Sequence, residues 1–439
     1  VKLAVVVQRY GPTINGGAEL HARYLAEHLA RHAEVDVLTT CAADYITWRN
    51  ELAPGVEEVN GIRVARFPVR HERDPLQFGR RSERVFRHRH SLAQELEWLD
   101  AEGPASPALI EHVHAQGARY DACIFFSYRY YHAYHGARAA ADRALLVPTA
   151  ERDAAIGLAL FPPLFRGVRA LMYNSPEERA MIEAAAGREL PGVVVGIGSQ
   201  VPAQTRPDEF RARFGVKGPF AVYVGRIDEN KGCRELFEFF QGYLRDIGSG
   251  LSLVLIGQSR MSIPQHPRIR PLGFLDDAHK FDAIAAADVL IMPSFFESLS
   301  MVALEAWALG RPVLANGRCD VLKGQCLRSN AGLFYESYPE FVETLRAIEQ
   351  HRGLATALGE NGRRYFDANY AWPVIERKYL DVLERVSHRS GPAAMEPMPG
   401  WLARRRPALP PAEEVLARLP GGPVARSRPA AGSTERSRS

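Results

Sequence analysis

No apolar run in this 439-residue chain reaches the roughly 18 residues that a membrane-spanning helix needs, so no segment is expected to cross a bilayer. No Cys-x-x-Cys pair and no Cys/His cluster at metal-ligand spacing is present. The five cysteines (Cys41, Cys123, Cys233, Cys319 and Cys326) are scattered and odd in number. They read as reduced thiols in a cytoplasmic protein, not as a disulfide framework. The nearest approach to a dinucleotide fingerprint is "INGGAE" at 14–19. It lacks the Gly-x-Gly-x-x-Gly spacing, so a hydride-transfer enzyme is not expected. No Asp-x-Asp pair stands at a strand end, and no Ser/His/Asp arrangement can be argued. Neither a metal nor a cofactor is therefore expected. The formal net charge is +4, and residues 391–439, with eight Arg and four Glu, account for all of it. The remainder is close to neutral, so nucleic acid is not an expected partner.

What the chain does have is strand–helix alternation. "KLAVVV" is a β-branched apolar run suited to a strand buried on both faces, and reads as a first strand and not a signal peptide. "AELHARYLAEHLARH" then places Leu20, Tyr24, Leu25 and Leu29 at helical spacing, and "VDVLTT" reads as a second strand. Further strands are expected at "IRVARFPV", "DACIFF", "ALLVP", "RALMYN" and "GVVVGIG". The stretch 78–111 reads as helical and polar, with a basic run at 80–90. "GIGSQVPAQTR" at 196–206 reads as a linker. A second series follows, with strands at "FAVYVGRI", "LSLVLIG", "DVLIMP" and "RPVLAN" and helices between them. The pattern predicts an α/β protein with two doubly wound domains, at 1–200 and 201–370, whose sheets carry helices on both faces. A helix at 371–389 follows. Residues 390–439, rich in Pro and Arg, are expected to be disordered.

Ligands of doubly wound sheets bind at the carboxyl ends of the strands. Two stretches at such ends carry chemistry. In "PSFFESLSMVALEAWALGRPVLANG", Pro293 ends a strand, Ser298 or Ser300 can cap the next helix, and Gly310 and Pro312 stop it. The amides near Ser300, Met301 and Val302 form the positive end of that helix and suit a phosphate. Glu297 in the loop and Glu305 inside the helix would flank the phosphate as two hydroxyl acceptors. In "YVGRIDENKG", Arg226 and Lys231 flank a turn and can neutralise a diphosphate. Either stretch alone fits a solvated loop; both at neighbouring strand ends suit a nucleotide diphosphate sugar.

These motifs resemble those of the retaining GT-B glycosyltransferases of family 4 (glycosyl transferases group 1). The Glu–x7–Glu pair is Glu297 and Glu305, "GRIDENKG" matches the Gly-Arg…Lys-Gly motif, and "GFLDD" followed by "AADVLIMPS" matches the run before the double glutamate. The resemblance covers residues 1–388. It implies two Rossmann-like domains facing a cleft, with a last helix, 372–386, crossing back to brace the first. It implies that Arg226 and Lys231 bind the donor diphosphate, Glu305 the ribose hydroxyls and Glu297 the donor sugar. The backbone at Phe274 and Leu275 would touch the nucleobase. Gly16 and Gly17 would let the N-terminal loop approach the sugar phosphate. One departure stands out: where many members have a His after a strand ending in Pro-Thr, this chain has Glu151 in "VPTAERDAAIG". His132 or His135 could substitute; alternatively, Glu151 itself serves near the donor sugar.

The resemblance implies a metal-independent hexosyltransferase using a nucleotide diphosphate sugar, UDP or GDP being the expected nucleotides, on a glycan or lipid-linked acceptor in cell-surface polysaccharide synthesis. The alternative is a catalytically impaired, sugar-nucleotide-binding subunit of a glycan assembly complex. The basic run at 80–90 and the Arg-rich tail leave room for peripheral contact with the inner face of the cytoplasmic membrane.

Overall fold

Two parallel sheets organise the chain. In the computed structural model, which describes residues 1–14, 16–387, 395–396 and 416–417, the first sheet contains β1 (Lys2–Val6), β2 (Glu34–Thr40), β3 (Gly55–Val59), β4 (Ile62–Phe67), β5 (Ala122–Phe126), β6 (Ala144–Val147), β7 (Ala170–Tyr173) and β8 (Gly192–Val194). Their order is β3-β4-β2-β1-β5-β6-β7-β8, all parallel except the β3/β4 pair. The second sheet contains β9 (Phe220–Val224), β10 (Ser252–Ile256), β11 (Ile269–Gly273), β12 (Val289–Met292), β13 (Val313–Asn316) and β14 (Gly332–Tyr335), in the order β11-β10-β9-β12-β13-β14. Strands β5, β6, β9, β10 and β12 are buried along their whole length. Helices on both faces leave them no wet side, which is why they read as continuous apolar runs.

Each sheet reverses its strand order once, between β1 and β5 and between β9 and β12. The loops after these four strands therefore open onto the crevices where such sheets bind ligands. "GRIDENKG" follows β9 and "PSFFES" follows β12, so the two motifs flank one switch point.

The crossing helix runs Trp372–Ser387. Trp372 stacks on His28 with ring centroids 3.7 Å apart, and Tyr379 Oη lies 3.1 Å from His21 Nε2. This explains why the first helix, Gly17–Leu29, buries His21 and His28 as well as its apolar face. The 78–111 region differs from the polar stretch expected of it. It contains helices Pro75–Arg87 and Leu92–Glu102 and the start of Pro107–Gln116, and Trp98, Leu99 and Leu109 are fully buried beneath them. The 196–206 linker has no regular structure, as expected. All five cysteines are buried and free. The expectation of a disordered tail lies largely outside the described residues. Of that tail, Met395 packs against Gly167, and Glu396 pairs with Arg166 at 2.7 Å. Among the described residues no helix is long and apolar enough to cross a membrane.

Candidate active site

The loop after β9 is built by its own side chains. Asp228 accepts from the Lys231 backbone amide at 2.9 Å and also pairs with the Arg226 guanidinium. Tyr223 Oη donates to the Arg226 carbonyl at 2.7 Å. Gly232 ends the loop with φ +74°, and a Cβ there would lie 2.1 Å from the Pro293 carbonyl oxygen. Asn316 Nδ2 donates to that same oxygen at 3.0 Å. The two motif loops are thus pressed backbone to backbone, and only glycine fits at 232. Their side chains meet as well: Lys231 Nζ lies 2.8 Å from Glu297 Oε1.

Ser300 caps the helix Met301–Ala308, its Oγ accepting from the Ala303 amide at 3.2 Å. The amides of Ser300, Met301 and Val302 precede the first intrahelical bond, which runs from Leu304 to Ser300. They are the positive end of the helix. Ser298 does not cap; its Oγ accepts from Asn174 Nδ2 at 3.4 Å. Glu305 is buried. Its Oε1 lies 3.0 Å from Lys280 Nζ, and its Oε2 is buried without a partner. Burial pushes the Glu305 carboxyl up and Lys280 pulls it back. A buried carboxylate oxygen with no donor is a strong acceptor awaiting a hydroxyl. Phe274, at the end of edge strand β11, is 63% exposed, with Leu275 half-buried beside it.

The other half contributes Glu151, after β6. Burial pushes its carboxyl up to about 7; Lys231 opposes this, while Glu297 and Asp153 reinforce it. Lys231 in turn is raised by Glu297 and Glu151 despite its burial. Glu151, Lys231 and Glu297 therefore form one electrostatic group drawn from both halves. The Glu151 loop is tied down by Glu178, which is fully buried and accepts from the amides of Ala150 and Asn174, each at 2.5 Å. Burial pushes the Glu178 carboxyl up to about 8, against those backbone donors. Asp320 pairs with Arg152 across the two halves at 2.7 Å, and Arg328 pairs with Glu177.

In the loop after β1, Gly16 and Gly17 differ. A Cβ on Gly16 would strike the Glu19 carboxylate, which pairs with Arg9 at 2.7 Å. A Cβ on Gly17 would meet nothing within 4 Å. Asn15 lies outside the described residues. Arg9 sits over Tyr45 and Trp48, 5.6 and 5.9 Å from their centroids. Tyr45 also acts electrostatically on Arg226, so this wall faces the β9 loop.

His132 corrects one expectation. It is fully buried, its Nε2 lies 2.9 Å from the Phe126 carbonyl, and burial pushes its pKa down to about 3. It is a core residue and does not replace Glu151. His135 lies on the helix Tyr131–Ala139 between the rings of Tyr131 and Tyr134.

Sequence reasoning singled out Arg226, Lys231 and Glu297, which lie on two adjoining loops, and Glu305, which lies in the helix that follows the second loop. It missed Lys280, Asp228, Glu178 and the Tyr45 wall. Among the described residues no group of three His, Cys, Asp or Glu is placed to hold a metal.

Residues 218–349 match the family model described as Glycosyl transferases group 1. Curated relatives include a glycogen synthase of Thermus thermophilus, 28% identical over 184 residues that make up 40% of this chain and 40% of the relative. The lipopolysaccharide core biosynthesis glycosyltransferase LpsE of Rhizobium meliloti is 28% identical over 171 residues, 38% of this chain and 49% of the relative. The matches thus span less than half the length of these relatives. Solved structures cover far more. Sucrose-phosphate synthase from Thermosynechococcus elongatus superposes with TM-score 0.64 at 19% identity, covering 88% of this chain and 98% of that one. HepE from Anabaena in complex with UDP gives 0.64 at 15% identity, covering 88% and 100%. The two-domain α/β architecture is that of GT-B glycosyltransferase structures.

Proposed function

We propose that the protein is a retaining, metal-independent glycosyltransferase. It moves a hexosyl group from a nucleotide diphosphate sugar to a glycan or lipid-linked acceptor. The observation that carries this reading is the switch-point pair of loops, where Lys231 of one loop meets Glu297 of the other at 2.8 Å just before the helix Met301–Ala308, which buries an unpartnered Glu305 oxygen. The cations and amides take the diphosphate. Glu305 Oε2 takes a ribose hydroxyl, held in place by Lys280 on Oε1. Phe274 and Leu275 offer an apolar edge to the base. Negative charge grows on the departing diphosphate, and the fixed cations stabilise it there more than in the ground state. Glu297 leaves its pairing with Lys231 to accept from the donor sugar. The acceptor enters beside the exposed Tyr45 ring and attacks from the face the diphosphate leaves, the leaving phosphate taking its proton. Support comes from the group 1 match, from LpsE, whose name places it in lipopolysaccharide core synthesis, and from HepE, solved with UDP. Incubation with labelled donor and acceptor, read by the anomeric proton couplings of the product, tests it. The expected product keeps the donor's anomeric configuration; an inverted product would remove the same-face step.

Glu151 stands beside this cluster and takes the role of stabilising positive charge on the sugar carbon in its ionised form. A carboxyl at about 7 ionises as pH rises, so kcat/KM should climb through about pH 7, with Glu151→Gln flattening that limb. The bound diphosphate adds negative charge nearby, so the corresponding limb in kcat should lie higher. The stability sign is opposite. The folded pKa exceeds the usual carboxylate value, so Glu151 favours the fold at low pH and loses that contribution as pH rises through about 7. A pH–rate profile of both proteins checks this. The second reading, a binding subunit without turnover, is favoured by Glu151 standing where the resembling family has His. Donor binding without transfer to any acceptor would establish it.

A further inference from the structure

A second cavity, of about 430 Å³, lies where the chain passes between the two halves. The linker residues Ser199 and Val201 form one side, Arg311 and Leu309 another, and Arg363 and Trp372 the third. None of the candidate active-site residues lines it. Trp372 begins the crossing helix, and its ring packs so closely on the linker that a Cβ at Gly198 would lie 2.6 Å from it.

Three donors around this cavity are unspent. Ser199 is 5% exposed, and its Oγ has no partner. Trp372 is 8% exposed, and its indole Nε1 has no partner. Arg311 Nε is buried and unpaired. Burial lowers the Arg311 pKa and the neighbouring Arg211 adds to this, while Asp288 opposes it. Arg363 supplies a second cation, although it already donates to the Ala308 carbonyl at 2.6 Å and pairs with Asp367 at 3.2 Å. Buried donors with no acceptor call for a ligand that only accepts. The apolar walls at Val201, Leu309 and Trp372 leave room beyond one anion.

We propose that this cavity binds a small phosphorylated metabolite, its phosphate on Arg311, Ser199 and the Trp372 indole N–H and its body against the apolar wall. Because the linker and the crossing helix both contribute, occupancy ties the two inter-half crossings together and restricts the opening of the cleft. The site is independent of the donor-site reading.

The test titrates the full chain with inorganic phosphate, glucose 6-phosphate and glucose, following tryptophan fluorescence and thermal melting. Wild type, Arg311→Gln, Ser199→Ala and Arg226→Ala are compared. The phosphate-bearing probes should bind wild type and Arg226→Ala alike, with glucose 6-phosphate tighter than phosphate if the apolar wall is used. Arg311→Gln should weaken both by about tenfold or more, and Ser199→Ala by less, as expected for losing a charged and a neutral partner. Where Arg311→Gln fails to fold, Ser199→Ala and Trp372→Phe carry the test. The proposal is overturned if the variants that fold bind these probes as wild type does. It is also overturned if Arg226→Ala alone abolishes binding, or if wild type shows no saturable response at millimolar concentrations.

Discussion

Replacing Lys231 with Ala should lower kcat by about 10²- to 10³-fold, the range seen when one preorganised stabiliser of transition-state charge is removed. Lys231 is the group that both loops and both halves share. Its Nζ holds Glu297 at 2.8 Å, and its charge restrains the upward shift of Glu151. Removing it has three consequences. The departing diphosphate loses a cation. Glu297 loses the partner that positions it. Glu151 shifts above about 7, so the rising limb of the pH profile moves to higher pH. Ground-state binding should suffer less than turnover, because Arg226 and the helix amides remain on the diphosphate. Stability should fall too, because the pair is largely buried, its side chains 30% and 12% exposed, and losing Lys231 leaves Glu297 without its partner. Steady-state kinetics beside a thermal melt separate these effects. A stable protein with unchanged kcat would show that Lys231 does not face the reaction.

The second large effect is expected at Gly232. Ala there must hold φ near +74° and place its Cβ 2.1 Å from the Pro293 carbonyl oxygen and 2.8 Å from its carbon. Both obstacles are backbone, so no side chain can rotate away. Left-handed geometry costs roughly 1–2 kcal/mol and overpacking roughly 1–3 more, so Gly232→Ala should destabilise by about 2–5 kcal/mol. The loops would be forced apart where Lys231 meets Glu297, and activity should fall with stability. Gly17→Ala is the contrasting case. Its Cβ enters open space, so the melt should be near wild type. If the N-terminal loop approaches the donor as the resemblance implies, Gly17→Ala should still lose activity. Denaturant unfolding and initial rates on the two variants check both halves of the comparison.

Much of this was legible in the sequence, for physical reasons. A strand buried on both faces must be apolar throughout, so β1, β5, β9 and β12 announced themselves. The two motif loops were legible because a switch point collects the unusual residues: glycines with positive φ, a helix cap, and charges at strand ends. Strand β4 was expected at "IRVARFPV", but its hairpin partner β3 was missed although Asn60 and Gly61, both at positive φ, form the turn between them. The reason is that β3 is exposed along most of its length and lacks a hydrophobic signature. Strand β11 was missed for a similar reason, its residues being only partly buried at the sheet edge. Lys280 and Glu178 were invisible because a buried ionic or hydrogen-bonded partner is chosen by tertiary neighbours, not by spacing along the chain. His132 misled because a histidine beside a strand end looks alike whether it faces the cleft or, as here, the core.

The central claim is that the loops after β9 and β12 bind a nucleoside diphosphate. A melting-temperature panel with UDP-, GDP-, ADP- and dTDP-sugars on wild type and Arg226→Ala tests it most directly. A ligand at about 100 times its dissociation constant adds roughly 2.7 kcal/mol to stability, which such a melt resolves. The account predicts a rise with one nucleotide class that is lost in Arg226→Ala. A rise of equal size in both proteins would place the nucleotide elsewhere, and no rise with any sugar nucleotide would contradict the claim outright.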